Sequence, residues 1–217
     1  MGKQAAMVEQ PAASTATVGW VRASGALTMI GGALLTIGAI LIDLGWYVDL
    51  PAVASLGNAL AAVSGLGLIF LPLGLRASRL GGTGMLATVG TASLLLGLCL
   101  ASIVDVPAIL DPTDIQAGGA LGPVGLLLLS IGFLAWFVAI RGAGGLAGWR
   151  PYTFLAAGLW FPLTFPALQL PLFVIPYGRP SFVLLAGVLG VLQLTMGSIL
   201  RGQMAKGRFT AEASNRA

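Results

Sequence analysis

A chain of 217 residues with 57% apolar and only 8% charged side chains has too little charge to coat a water-facing surface, since soluble domains carry roughly 25% charged residues. It holds no histidine and one cysteine, which excludes histidine-ligated haem, histidine metal clusters, a Ser–His nucleophile and an internal disulfide. Its 11 basic and 7 acidic residues are dispersed among apolar stretches, a pattern that orients a chain in a membrane and gives no basic patch for nucleic acid.

In chain order, residues 1–22 are a polar tail containing Pro11, without the apolar core of a cleavable signal. Its opening, MGKQAA, lacks the hydroxyl residue that a myristoylation motif needs at position six. Six charge-free intervals follow: 23–42, 50–75, 80–104, 115–140, 151–178 and 180–200. About 20 helical residues cross a hydrocarbon core of roughly 30 Å, so six transmembrane helices are predicted. Runs such as GLLLLSIGFLAWFVAI do not alternate with period two, which argues against barrel strands.

The first interval ends at Asp43, Trp46 and Tyr47. Asp43 is read as a solvated boundary charge in the outer headgroup layer, and Trp46 and Tyr47 as aromatic anchors there. In the second, Gly57, Ala61 and Gly65 place a small residue at every fourth position, a face suited to close helix packing in lipid. Asn58 is a buried amide that must find a partner. Thr88, Thr91 and Ser93 in the third interval and Ser130 in the fourth can bond their own helix backbones, and Cys99 is read as packing. The fifth interval carries Pro162, Pro166, Pro171 and Pro176. Each removes a backbone donor, so an unbroken helix is not expected, and broken helices at membrane depth line substrate sites. Trp160 and Gln169 of this interval, with Gln193 of the sixth and Asn58, are the candidate substrate-binding residues. A basic tail, 201–217, ends the chain.

Ten of the eleven basic residues fall on one side of a six-span layout, and Arg179 alone falls on the other. Basic residues stay cytoplasmic during insertion. Both tails are therefore expected in the cytoplasm, with residues 23–200 as the membrane domain of a bacterial-type inner (plasma) membrane protein. Residues 25–40 and 119–134 share eight of sixteen positions, and Gly90, Leu94 and Gly97 echo Gly190, Leu194 and Gly197. Two halves of three spans each would lie in opposite orientations, giving a 3+3 inverted repeat of the kind found in transporters.

The expected fold is an all-α polytopic bundle of six spans. No ionisable residue lies near the middle of any interval and no catalytic constellation is visible. No enzyme activity, cofactor or metal is therefore expected. Two functions remain in view. The first is a structural or interaction subunit, with membrane lipids and a partner membrane subunit or a second copy as partners. The second is a small transporter, permease subunit or channel for a neutral or apolar solute.

Overall fold

The computed structural model describes residues 15–110, 121–167, 174–175 and 179–214. The chain is a helical bundle: α1 (Thr15–Tyr47), α2 (Pro51–Leu68), α3 (Phe70–Ser78), α4 (Met85–Leu110), α5 (Leu121–Ala143), α6 (Tyr152–Ala167) and α7 (Val188–Ser214). A π-turn, Val183–Gly187, leads into α7. One two-residue antiparallel bridge, β1 (Val174–Ile175) with β2 (Arg179–Pro180), precedes it. α1 and α7 both extend into the predicted tails.

Five helical stretches among the described residues are long and apolar enough to cross a membrane: Ala16–Tyr47, Pro51–Ser78, Met85–Ile103, Pro123–Ala143 and Val183–Gly202. They match five of the six predicted intervals. The fifth interval differs. Its described helix, α6, has 16 residues, Tyr152–Ala167, and Gln169, Pro171 and Pro176 lie outside the described residues. α2 and α3 form one bent rod with its joint at Ile69. Pro72 explains the joint, because it has no N–H for the Leu68 carbonyl and its ring clashes there.

Glycine decides where the helices touch. α1 runs antiparallel to α2 on one side, where a β-carbon on Gly38 would lie 2.7 Å from the Gly57 carbonyl oxygen and one on Gly31 2.9 Å from that of Ser64. On its other side α1 runs antiparallel to α7: β-carbons on Gly25 and Gly32 would lie 2.8 and 2.6 Å from the carbonyl oxygens of Gly197 and Gly190. α4 and α5 pair in the same manner, Gly97 with Gly125 at 2.8 Å and Gly90 with Gly132 at 3.2 Å. The predicted small face of α2 is thus divided. Gly57 meets α1, whereas Gly65 meets Ser102 of α4.

The interior is one apolar cluster that includes Leu71, Leu75, Leu94, Phe133, Trp136, Phe154, Met196 and Leu200. A second, smaller one joins Ile42, Trp46, Ala54 and Phe182. Trp46 is therefore no lipid-facing anchor; it is buried edge-on against Phe182 at 5.3 Å. Trp20, Tyr47, Trp149 and Tyr152 are exposed. Cys99 is exposed too, which corrects its reading as a packing residue.

Connections gather at one end of the bundle. Gly145, between α5 and α6, sits against the Leu80 carbonyl between α3 and α4, and Gly74 of α3 packs on Ser24 of α1 and Leu200 of α7. Arg22, Arg76, Arg79, Arg141, Arg150 and Arg201 belong to the helix ends and loops that meet there, while Asp43 and Asp49 lie toward the other end.

Substituting Gly32 by Val forces a side chain into the α7 backbone and should destabilise the fold by about 1–3 kcal/mol, the usual range for overpacking. Gly19 has nothing within 4 Å of its β-position, so Gly19→Ala should leave stability unchanged or raise it by up to about 1 kcal/mol. Reversible unfolding of the two variants in detergent micelles measures both.

Candidate functional site

The densest polar site among the described residues lies where α7 begins. Pro180 ends the preceding extended segment and Ser181 stands at the N-cap, a residue suited to accept from the unpaired N–H groups of a first helical turn. The Ser181 hydroxyl accepts from the Leu184 N–H at 3.4 Å and donates to Asp43 Oδ2 at 2.7 Å. Asp43, reaching across from α1, also accepts from the Phe182 N–H on Oδ1 at 2.7 Å and from the Val183 N–H on Oδ2 at 3.0 Å. A carboxylate from one helix thus caps another, where the helix dipole favours negative charge. Its reading as a solvated boundary charge is corrected: Asp43 is half-buried and engaged in three hydrogen bonds.

The π-turn that follows frees carbonyls, because each of its bonds spans one residue more than an α-helical bond. Val188 donates its N–H to the Val183 carbonyl in this manner. Side chains from two other helices take up what is freed. The Trp160 indole N–H on α6 donates to the carbonyls of Leu184 at 3.0 Å and Leu185 at 3.2 Å. The Thr36 hydroxyl on α1 donates to the Gly187 carbonyl at 3.2 Å as well as to its own Gly32 carbonyl at 2.9 Å. The irregular turn is therefore held by Asp43 and Thr36 from α1 and by Trp160 from α6.

The four residues predicted to bind substrate do not meet at one point. Trp160 commits its only donor to the π-turn. Gln193 lies eight residues beyond Leu185, about 12 Å farther along the helix at 1.5 Å per residue. It is 2% exposed, on the stripe of α7 that also buries Leu189, Met196 and Leu200. Asn58 is buried on α2, two helical turns from Gly65 and on the same face, which meets α4; it has an interaction partner. Gln169 lies outside the described residues.

Three buried side-chain atoms among the described residues have no hydrogen-bond partner: Gln193 Oε1, Trp136 Nε1 and Arg76 Nη1. An unmade hydrogen bond on a buried group costs about 1–3 kcal/mol, so each of these atoms marks a place where another partner would stabilise the protein. The arrangement can bind by hydrogen bonds. No group of three or more metal-ligating His, Cys, Asp or Glu residues occurs among the described residues.

Sequence reasoning missed the Asp43–Ser181 junction, although its two signals were present. Asp43 is a lone carboxylate at the end of an apolar run, and Pro-Ser precedes another apolar run, which is a helix start. Nothing in the sequence says that the two ends are neighbours. Comparison with known proteins finds no matching family, no matching curated protein and no matching solved structure.

Replacing Asp43 by Asn removes the charge from three hydrogen bonds and should destabilise the fold by about 1.5–3 kcal/mol, whereas Trp160→Phe, which keeps the ring and deletes the donor, should cost about 0.5–1.5 kcal/mol. Equilibrium unfolding in detergent, with the two variants compared side by side, reads both values.

Proposed function

We propose that this chain is a six-span carrier made of two inverted halves, with both termini cytoplasmic in a bacterial-type inner membrane, and that it moves a small neutral solute able to hydrogen-bond. The observation that carries this reading is a correspondence between glycine contacts at a shift of 100 residues. Gly25 meets Gly197 as Gly125 meets Gly97, and Gly32 meets Gly190 as Gly132 meets Gly90. The neighbours follow the same rule. Gly32 lies against Leu194 and Gly132 against Leu94; Gly197 lies against Met29 and Gly97 against Leu129.

Each pair of contacts relates α1 to α5 and α4 to α7. With three spans per half, equivalent helices run in opposite directions, the arrangement of inverted-repeat transporters. The register differs by six residues from the similarity of 25–40 to 119–134, and it agrees with the match of Gly90, Leu94 and Gly97 to Gly190, Leu194 and Gly197. The fifth span of this layout is the interval 151–178, of which α6 is the described helix. The contact between Gly145 and Leu80 supports the orientation, because it puts the connections bearing Arg79 and Arg150 side by side.

Gln193 is the proposed solute contact. It lies near the middle of the apolar stretch Val183–Gly202, and its carbonyl oxygen has no partner. A donor on a neutral solute would complete it without bringing a charge into the bilayer. Substrate sites of inverted-repeat carriers also lie near the midplane. The competing reading, an interaction subunit without a solute path, draws on the backbone-close packing of α1 against α2 and α7.

Two measurements test the proposal. With Cys99 replaced, single cysteines at 78 and 145 should be labelled from the cytoplasmic face and one at 49 from the other; opposite faces for 78 and 145 would overturn the layout. In proteoliposomes, small amides, ureas and polyols should include at least one solute that crosses faster than in protein-free vesicles. Gln193→Leu should slow that flux about tenfold, the effect of losing one hydrogen bond. If no solute of the panel crosses faster than in protein-free vesicles, the interaction-subunit reading takes its place.

A further inference from the structure

The shift of 100 residues gives Trp136 a counterpart, Thr36. Both lie against an equivalent glycine: the β-position of Gly190 faces the Thr36 hydroxyl, and that of Gly90 faces Trp136 Cδ1 at 2.7 Å and Nε1 at 3.0 Å. Their hydrogen bonding differs. Thr36 donates to the Gly187 carbonyl at the end of the π-turn. Trp136 is fully buried and its N–H has no acceptor. The counterpart of the Gly187 carbonyl is that of Ala87, one turn from Gly90. It lies in the regular helix α4 and accepts from the Thr91 hydroxyl at 2.7 Å. The donor on α5 is in place, but its acceptor is occupied.

We propose that α4 has a second conformation in which its first turns take up the π form now seen on α7 and Trp136 donates its indole N–H to the Ala87 carbonyl. This rests on the inverted-repeat reading. In the exchanged conformation the beginning of α7 becomes regular helix and releases Asp43 and Trp160, so the two ends of the bundle trade states. Widening a turn to the π form lengthens each bonded ring by one residue and frees carbonyls for side-chain donors. Trp160 and Thr36 use such carbonyls at one end, and Trp136 is the donor waiting at the other. Alternating access in inverted-repeat proteins moves one half against the other around a fixed site, and the exchange of turn geometry between the two ends is the local form of such a movement here.

The consequence is a long-range effect with a defined sign. Trp136→Phe deletes a group that makes no hydrogen bond in the conformation described, so it weakens only the exchanged one and shifts the population away from it. The Phe182 and Val183 amides are bonded to Asp43 here and free in the exchanged state. Their hydrogen–deuterium exchange, measured on the full chain in lipid nanodiscs, should slow about tenfold in Trp136→Phe, matching the loss of one hydrogen bond. Thr91→Val, which frees the Ala87 carbonyl, should speed it, and provides the opposite sign should Trp136→Phe not fold. Unchanged or faster exchange in Trp136→Phe, or unchanged or slower exchange in Thr91→Val, overturns the proposal. Labelling of cysteines at 78 and 145 separates the two levels: opposite faces sink the inverted repeat and this inference together, while the same face with unaffected exchange sinks the second conformation alone.

Discussion

Backbone-to-backbone contact at glycines is what the rest of the structure depends on. Lipid tails are as apolar as leucine, so helices gain little by hiding apolar side chains from them, and association must come from close packing and hydrogen bonds. Gly25, Gly32, Gly190 and Gly197 bring α1 and α7 within reach of each other's carbonyl oxygens, and Gly90, Gly97, Gly125 and Gly132 do the same for α4 and α5. These approaches set the depth of every other residue. Asp43 reaches Ser181 because α1 and α7 are locked in register about three turns away along α1, at Gly32 and Gly190.

Given that register, polar groups follow a single rule. In a bilayer a backbone group without a partner costs several kcal/mol, so an irregular turn survives only where side chains meet its loose ends. The π-turn before α7 has Asp43 on its amides and Trp160 and Thr36 on its carbonyls. Placing one carboxylate near a helix N-terminus adds favourable electrostatics to the hydrogen bonds. Among the described residues, Gln193 on α7, Trp136 on α5 and Arg76 on α3 each keep one buried side-chain polar atom without a partner.

Gln193 and Trp136 differ in kind. Gln193 carries an acceptor in the middle of an apolar stretch, suited to a neutral donor from outside the chain. Trp136 carries a donor beside a helix whose own hydroxyl at Thr91 occupies the nearest counterpart acceptor. A partner from outside the chain and a rearrangement within it are therefore two separate means of satisfying buried groups in one framework.

Much of this architecture is legible in the sequence itself. Apolar intervals of membrane-spanning length, the helical class and the gathering of basic residues followed from composition and charge, because the hydrocarbon core imposes a minimum length and a low tolerance for charge on whatever crosses it. The glycine ladder of residues 90–97 and 190–197 was visible for the same reason, as small residues are conspicuous in an apolar run. Tertiary structure alone decided that Trp46 is buried against Phe182, that Cys99 is exposed, that Gln193 shares the buried stripe of Leu189 and Met196, and that Asp43 caps the turn leading into α7. Those facts depend on which faces of distant helices meet and at what depth. A linear pattern of leucine, glycine and alanine constrains that poorly, since many registers bury the same residue types, and only carbonyl-to-glycine fit between particular helices selects one.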